Sequence, residues 1–396
     1  MDLAMISRAE TTSASPSVHP DSVRIAVLLA QLRGAGIQRM RFNIIRCLLR
    51  RGYQVDLVVG AAKGELVDEI PPGVSLYTLS SKGRLGLPLG LMGYLRERQP
   101  SHVMSSYEDL SIMLLLAKKI LRADTFTLLS THNAISQLVH EGGRLNRLKQ
   151  RLLRPMMKSL YPSADSLVAV SEGVALELHQ YLNLPLSAIN VIYNPVIADS
   201  FAAQLAAGES DLHYEQDGAP TIGFFGRLHE QKRVDLLIDA FAMLRKKAAC
   251  RLLLVGEGAE RERLELRVAG LGLGGDVHFF GFSESPYALM RRCHVVALPS
   301  DYEGLGNVLV EAMACGTQVV STDCPHGPRE ILQDGKYGQL VEVGDAEGLC
   351  TALMNSINNV FRVDPELLVQ RAMEFSADTA TDSYLRAMKL PVAIEK

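Results

Sequence analysis

Two carboxylates stand eight residues apart in SDYEGLGNVLVEAMACG (300–316). Glu303 lies in a loop after the apolar run VVALP, and Glu311 lies inside the helical pattern that follows. Between them Gly304 and Gly306 free the backbone at a helix start, where unpaired N–H groups and the positive end of the helix dipole attract an anion. A diphosphate held there would lay a ribose along the helix. Glu311, on a solvent-facing side, would then accept both ribose hydroxyls, and Glu303 would stand beside the group that the diphosphate carries. A surface Glu and a dipole-favoured Glu would explain either residue alone, but not the glycines between them.

A second cluster lies in FFGRLHEQKRVDLLIDAF (224–241), where Arg227 and Lys232 follow a strand end and precede a helix. Two fixed cations there could stabilise charge growing on a departing phosphate, as a metal ion does elsewhere. By itself the stretch also reads as a solvated loop. GAGIQRM (34–40) puts Gly36 between the opening strand and its helix, as a phosphate loop or only a tight turn; its GxGxxR spacing is not that of a dinucleotide fold. Cys324 and His326 in CPHGPREIL supply two metal ligands without a third, so a packed turn is expected and no metal.

The elements that must position these residues alternate along the chain. Short β-branched runs (VRIAVLLA, QVDLVVG, HVMSSY, TFTLLSTHN, SLVAVS, INVIYN) interleave with helical patterns, and the series restarts after residue 200 with TIGFFG, RLLLVG, VHFFG, VVALPS and QVVSTD. Such alternation implies parallel sheets covered by helices. The expected fold is α/β with two Rossmann-like domains facing each other across a cleft. The expected divisions are a flexible leader over 1–20, a first domain over 21–195 and a linker over 196–218. A second domain follows over 219–370, and a C-terminal helix over 371–396 returns to the first domain.

Composition narrows the class. A chain of 396 residues with 47% hydrophobic residues can fill two cores. It has neither an uninterrupted apolar run long enough to span a bilayer nor an opening suited to secretion, so a cytoplasmic protein is expected. Six scattered cysteines without a CxxC pair are expected to be reduced and packed. Residues 1–200 carry 22 Lys and Arg against 16 Asp and Glu, which makes the first half the one suited to an anionic partner.

Taken together, GRLHEQK and EGLGNVLVEAMACGTQVVSTD resemble the donor site of family four glycosyltransferases (glycosyl transferases group 1), retaining enzymes of the GT-B fold. GAGIQRM, STHN (130–133), VAVSEGV, VIYNPV, VGEGAERERLE and GF (281–282) resemble that family in order and spacing, over about Val23–Val360. The resemblance implies that Arg227 and Lys232 hold a nucleotide diphosphate with the amides of Gly306 and Asn307. It puts the ribose on Glu311, the transferred sugar on Glu303, His132 near the reacting carbon and Gly36 at the phosphate from the other domain. The family's first loop often reads GGxER, and here Ala35 interrupts the glycines.

The expected reaction is transfer with retention from a nucleotide-diphosphate sugar, UDP-sugar favoured, to a lipid-linked or envelope glycan, giving an α-linkage. No cofactor is expected, and no DxD segment offers a divalent-ion site. A nicotinamide oxidoreductase fails because no acidic residue ends QVDLVVG to hold a ribose. A silent GT-B binding subunit and an epimerase remain the alternatives. Nucleic acid is not an expected partner. RLNRLKQRLLRPMMKSL (144–160) carries six cations, no acid and an interleaved apolar stripe. It reads either as a helix packed on the sheet or as one touching an anionic membrane surface from the cytoplasmic side.

Overall fold

The computed structural model describes residues 19–32, 36–79, 86–132, 153–208, 218–283 and 285–392. The first half contains β1 (Arg24–Gln31), α1 (Gly36–Arg50), β2 (Gln54–Ala61), β3 (Ser75–Thr78), α2 (Gly86–Arg98) and β4 (His102–Ser105). It continues with α3 (Glu108–Leu121), β5 (Phe126–Thr131), a helical stretch over 153–160 (α4), β6 (Ser166–Ala169), α5 (Glu172–Leu182) and β7 (Ile189–Val191). Its seven strands lie in the order β3-β2-β1-β4-β5-β6-β7, and every pairing is parallel.

The connection holds α6 (Phe201–Gly208). The second half then runs β8 (Thr221–Phe225), α7 (Val234–Arg245), β9 (Arg251–Val255), α8 (Arg261–Gly270), β10 (Val277–Gly281), α9 (Tyr287–Arg292) and β11 (Val295–Leu298). After these come α10 (Asn307–Ala314), β12 (Gln318–Thr322), α11 (Pro328–Ile331), β13 (Gln339–Val341), α12 (Ala346–Ile357), α13 (Pro365–Met373) and α14 (Ala377–Ala387). Its six strands, also all parallel, lie in the order β10-β9-β8-β11-β12-β13.

The two-residue period of a strand explains why these runs are apolar throughout. Along β1, Ala26 and Leu28 enter the core on one face of the sheet, while Ile25, Val27 and Leu29 enter the core on the other. In β8 and its neighbours Ile222 and Phe224 face one layer and Phe225 the opposite one. Each sheet is therefore a middle layer between helices.

The last helix belongs physically to the first half. α14 lies along α1, and Ala380, Tyr384 and Leu385 complete the core that Ile44, Ile45 and Leu48 begin. Arg50 at the end of α1 and Arg51 just after it reach Asp378 at 2.9 and 3.1 Å, and Arg50 also reaches Asp199 of the connection at 2.5 Å. The stretch read as linker (196–218) is not all loop. Its FAAQLAAG forms α6, because alanine-rich sequence favours helix and Phe201 anchors it on the Tyr287 ring, 4.7 Å away.

Candidate active site

Both sheets reverse their strand order at the first strand, between β1 and β4 and between β8 and β11. Chains leaving the carboxyl ends there diverge and open a crevice. The two crevices share one cavity of about 690 Å³ between the halves. All eight residues singled out in the sequence, Gly36, His132, Arg227, Lys232, Glu303, Gly306, Asn307 and Glu311, line it.

On the second-half side, two loops are tied into one unit. Gln231 donates from Nε2 to the Tyr302 carbonyl at 2.6 Å and accepts from the Asp301 amide at 3.0 Å, while Arg233 pairs with Asp301 at 2.9 Å. This brings Lys232 Nζ to 2.5 Å from Glu303 Oε1, an oxygen that also accepts from Ser300 Oγ at 2.6 Å. The pair is mostly enclosed, with side-chain exposures of 17% and 9%. Arg227 stands exposed at the cleft and makes no ion pair among the described residues.

Gly306 precedes α10 with φ +93°, a left-handed conformation, and a Cβ there would meet Leu298 at 3.3 Å. That turn presents the first amides of α10, at Asn307 and Val308, to the cavity; first-turn amides have no partner within their own helix. One turn further on, Glu311 is not the solvent-facing carboxylate expected from the sequence. It is half-buried, and burial pushes its pKa up to about 7 against the weaker opposing pull of Arg39 and Lys232. The correction has a simple cause: the first half covers that face of α10, with Asn307 Oδ1 accepting from Asn194 at 3.0 Å and Asn307 Nδ2 meeting the Met40 sulfur at 3.4 Å.

The first-half side carries fewer charges. A Cβ built on Gly36 would meet nothing within 4 Å, so packing does not require glycine there and the backbone lies open to a ligand. His132, at the end of β5, is buried; its Nε2 lies 3.1 Å from Arg41 Nη2 and 3.2 Å from Ser130 Oγ. Burial and the Arg41 charge lower its pKa well below the ordinary value, with Asn194 acting weakly the other way.

The halves are clasped beside the cavity. The Glu330 carboxylate accepts from the amides of Glu172 and Gly173 at 2.8 and 3.1 Å, capping α5 from the opposite domain. Ser171 Oγ donates to the Gly304 carbonyl at 2.9 Å, and His326 Nε2 lies 2.9 Å from Glu177. Cys324 and His326 thus sit in a packed interdomain turn. Among the described residues the one cluster with metal-ligand spacing is Cys47, Asp199 and Asp378, and Arg50 engages both of its acids.

Sequence reasoning passed over Asn194, Glu330 and Arg41. In sequence Asn194 only closes the run INVIYN, and Glu330 is only part of the turn CPHGPREIL. Arg41 did carry a signal: it occupies the stripe position of an i, i+3, i+4, i+7 pattern whose other members, Ile44, Ile45 and Leu48, are all buried. Of the basic stretch 144–160, residues 144–152 lie outside the described residues. Over 153–160, Met157 is fully buried, Leu153 and Leu160 pack on the core, and Arg154 lies over the Tyr181 ring. Among the described residues no helix is long and apolar enough to cross a membrane.

Two Rossmann-like halves with a shared cavity at their switch points define the GT-B architecture. Solved structures agree along nearly the whole chain. The lipopolysaccharide outer core galactosyltransferase WaaB matches with a TM-score of 0.73 at 19% identity, covering 93% of this chain and 99% of that one. Anabaena HepE in complex with UDP matches with a TM-score of 0.74 at 21% identity, covering 93% and 100%. The family model for Glycosyltransferase Family 4 matches residues 34–200, and the model for Glycosyl transferases group 1 matches residues 219–359. The chain belongs to the group 1 glycosyltransferases.

Among curated relatives, an N-acetylgalactosamine-N,N'-diacetylbacillosaminyl-diphospho-undecaprenol 4-alpha-N-acetylgalactosaminyltransferase of Campylobacter jejuni is 30% identical, over 52% of this chain and 54% of that protein. The lipopolysaccharide core biosynthesis glycosyltransferase LpsE of Rhizobium meliloti is 35% identical, over 43% and 50%. These matches span about half the length of each relative.

Proposed function

We propose that the protein is a retaining glycosyltransferase that moves a sugar from a nucleotide-diphosphate sugar, UDP-sugar favoured, to a lipid-linked or cell-envelope glycan, forming an α-linkage. The observation that carries this reading is the convergence of Arg227, Lys232, Glu303, the α10 amides and Glu311 in one cavity, with His132 facing them from the other half.

In that reading the diphosphate sits on the α10 amides between Arg227 and Lys232. The ribose hydroxyls donate to the Glu311 carboxylate. Glu303 accepts from hydroxyls of the sugar while its Lys232 partner turns toward phosphate. As the sugar–phosphate bond breaks, charge grows on the departing phosphate oxygen, where the two cations and the amides already point. That phosphate can also take the acceptor hydroxyl's proton, so no separate base is needed. Glu303 and Glu311 already have roles toward Lys232 and ribose, which leaves Glu65 as the one other lining carboxylate among the described residues and favours catalysis without a divalent ion.

Lipid-linked and envelope acceptors are suggested by what the relatives are named for, and the cationic first half suits them. The test is a panel of UDP-, GDP- and ADP-sugars scored by thermal shift, then turnover with and without EDTA. Binding stabilises the fold by mass action, about 2.7 kcal/mol at a hundredfold excess over Kd. A panel in which no nucleotide sugar raises Tm removes the reading. Contact of the 144–160 stretch with an anionic surface is a separate proposal, checked by co-sedimentation with phosphatidylglycerol against phosphatidylcholine vesicles. Equal, negligible binding to both removes it.

A further inference from the structure

Arg41 is 1% exposed, yet no carboxylate pairs with it among the described residues. Its Nε donates to Ser106 Oγ at 2.7 Å, its Nη2 donates to Ser130 Oγ and approaches His132 Nε2 at 3.1 Å, and its guanidinium lies 5.0 Å from the Tyr384 ring centroid. A buried cation held only by hydroxyls, an aromatic face and an imidazole is costly to keep. The group it alone can instruct is His132, which lines the cavity.

We infer that Arg41 is a positioning residue that holds His132 as a neutral ring with its proton on Nδ1, so that the ring faces the cavity as a fixed hydrogen-bond donor. Every guanidinium N–H donates and none accepts, so Nε2 facing Arg41 must be the bare nitrogen. Ser130 Oγ accepts from Arg41 and donates to the Ser105 carbonyl at 3.2 Å; its second lone pair could take an Nε2–H, but the Arg41 N–H aimed at Nε2 would then face a hydrogen instead of a lone pair. The proton is therefore on Nδ1. That atom is buried and makes no hydrogen bond of good geometry in the protein, nor does Oδ1 of Asn194, the neighbouring side chain that pulls the ring's pKa weakly upward; both residues line the cavity.

The charged group facing the ring is Arg41 from α1; Ser130 of β5 and Asn194 of the connection are neutral. Arg227, Lys232, Glu303 and Glu311 line the far side of the cavity and Glu65 the near side. The ring therefore gives a hydrogen bond to an incoming oxygen and never delivers a proton. That consequence rests on the glycosyltransferase reading. The tautomer itself does not, so the test separates them.

The experiment uses the full chain labelled with 15N-histidine, with His132 identified among the ten histidines by the signals lost in His132→Gln. Long-range 1H–15N correlation spectra from pH 5.5 to 8.5 are expected to show the Nδ1–H pattern without titration. In Arg41→Met, where burial still lowers the midpoint, the Nδ1–H pattern should give way to a mixture with Nε2–H and the midpoint should move upward. Arg41→Lys, which keeps a charge but not the fork, should keep the neutral ring. An Nε2–H pattern in the unmodified protein overturns the inference whether or not the variants fold, as does an Arg41→Met spectrum identical to it.

Discussion

The two walls of the cleft reach their chemistry by opposite routes. On the second-half wall Arg227, Lys232, Glu303 and Glu311 come from two loops and one helix, close enough in sequence that their spacing brings them to one cavity. Their charges are paired or aimed at the cavity directly. Among the described residues the first-half wall offers Gly36, Met40, Asn194, a neutral histidine and one carboxylate, Glu65. Arg41 is hidden behind the histidine and braced by α14 from the far end of the chain, while Arg39 of α1 pulls on Glu311. The difference teaches that binding an anion needs charges in the open, whereas orienting a neutral group needs a charge kept out of reach.

The largest expected effect lies on the charged wall. Arg227→Ala and Lys232→Ala should each lower kcat by about 10²-fold or more, since the charge they meet grows in the transition state. Steady-state kinetics with the donor that the panel identifies will check this. Unchanged kcat with a raised KM would make them binders only, and the contrast between the walls would fail.

The same wall predicts a stability effect that separates its two cations. Lys232→Ala strands the mostly enclosed Glu303 carboxylate and should cost about 3 kcal/mol. Glu303→Gln on top of it should recover much of that, because no charge is left unpaired. Arg227→Ala, at an exposed and unpaired side chain, should leave Tm within about a degree or two, given the small cost of surface changes. Calorimetric melting of the four proteins measures all three.

Glu311 gives the comparison a pH dependence. Its pKa of about 7 in the folded chain lies above the ordinary carboxyl value of 4.5. Folding is therefore favoured by its proton, and this contribution is complete below about pH 4.5 and lost as pH rises through about 7. Glu311→Gln should stabilise the free protein by about 2 kcal/mol at pH 8, by about 0.5 kcal/mol at pH 5 and by almost nothing at pH 4. Donor affinity should move oppositely, rising from pH 6 to 8 as the carboxylate forms, and the variant should bind more weakly with a flat profile. A donor Kd independent of pH in the unmodified protein would remove Glu311 from the ribose.

The smallest effect concerns the clasp that keeps the walls opposed. Glu330→Gln retains a cap on α5 but loses its charge at the helix end, which is worth about 0.5–1 kcal/mol. KM for donor should rise severalfold with kcat nearly unchanged. An equal fall in kcat would show that the clasp serves chemistry instead.

The sequence by itself determined the two α/β halves, because continuous apolar runs alternating with amphipathic helices have few ways to be buried. It also determined the charged wall, since Glu303 and Glu311 lie eight residues apart on one loop–helix unit and Arg227 and Lys232 lie in one loop. Short-range geometry of that kind survives without knowing the fold. Tertiary structure alone decided the rest. The half-burial of Glu311 depends on Met40 and Asn194 meeting Asn307 across the cleft, pairs 267 and 113 residues apart. The Lys232–Glu303 pair joins residues 71 apart, and the Arg41–His132 contact joins residues 91 apart. Their partners are chosen by which strands lie side by side and by how α14 returns to α1. A spacing rule cannot carry that information, because burial and pKa depend on everything that surrounds a side chain and only a little on its neighbours in sequence.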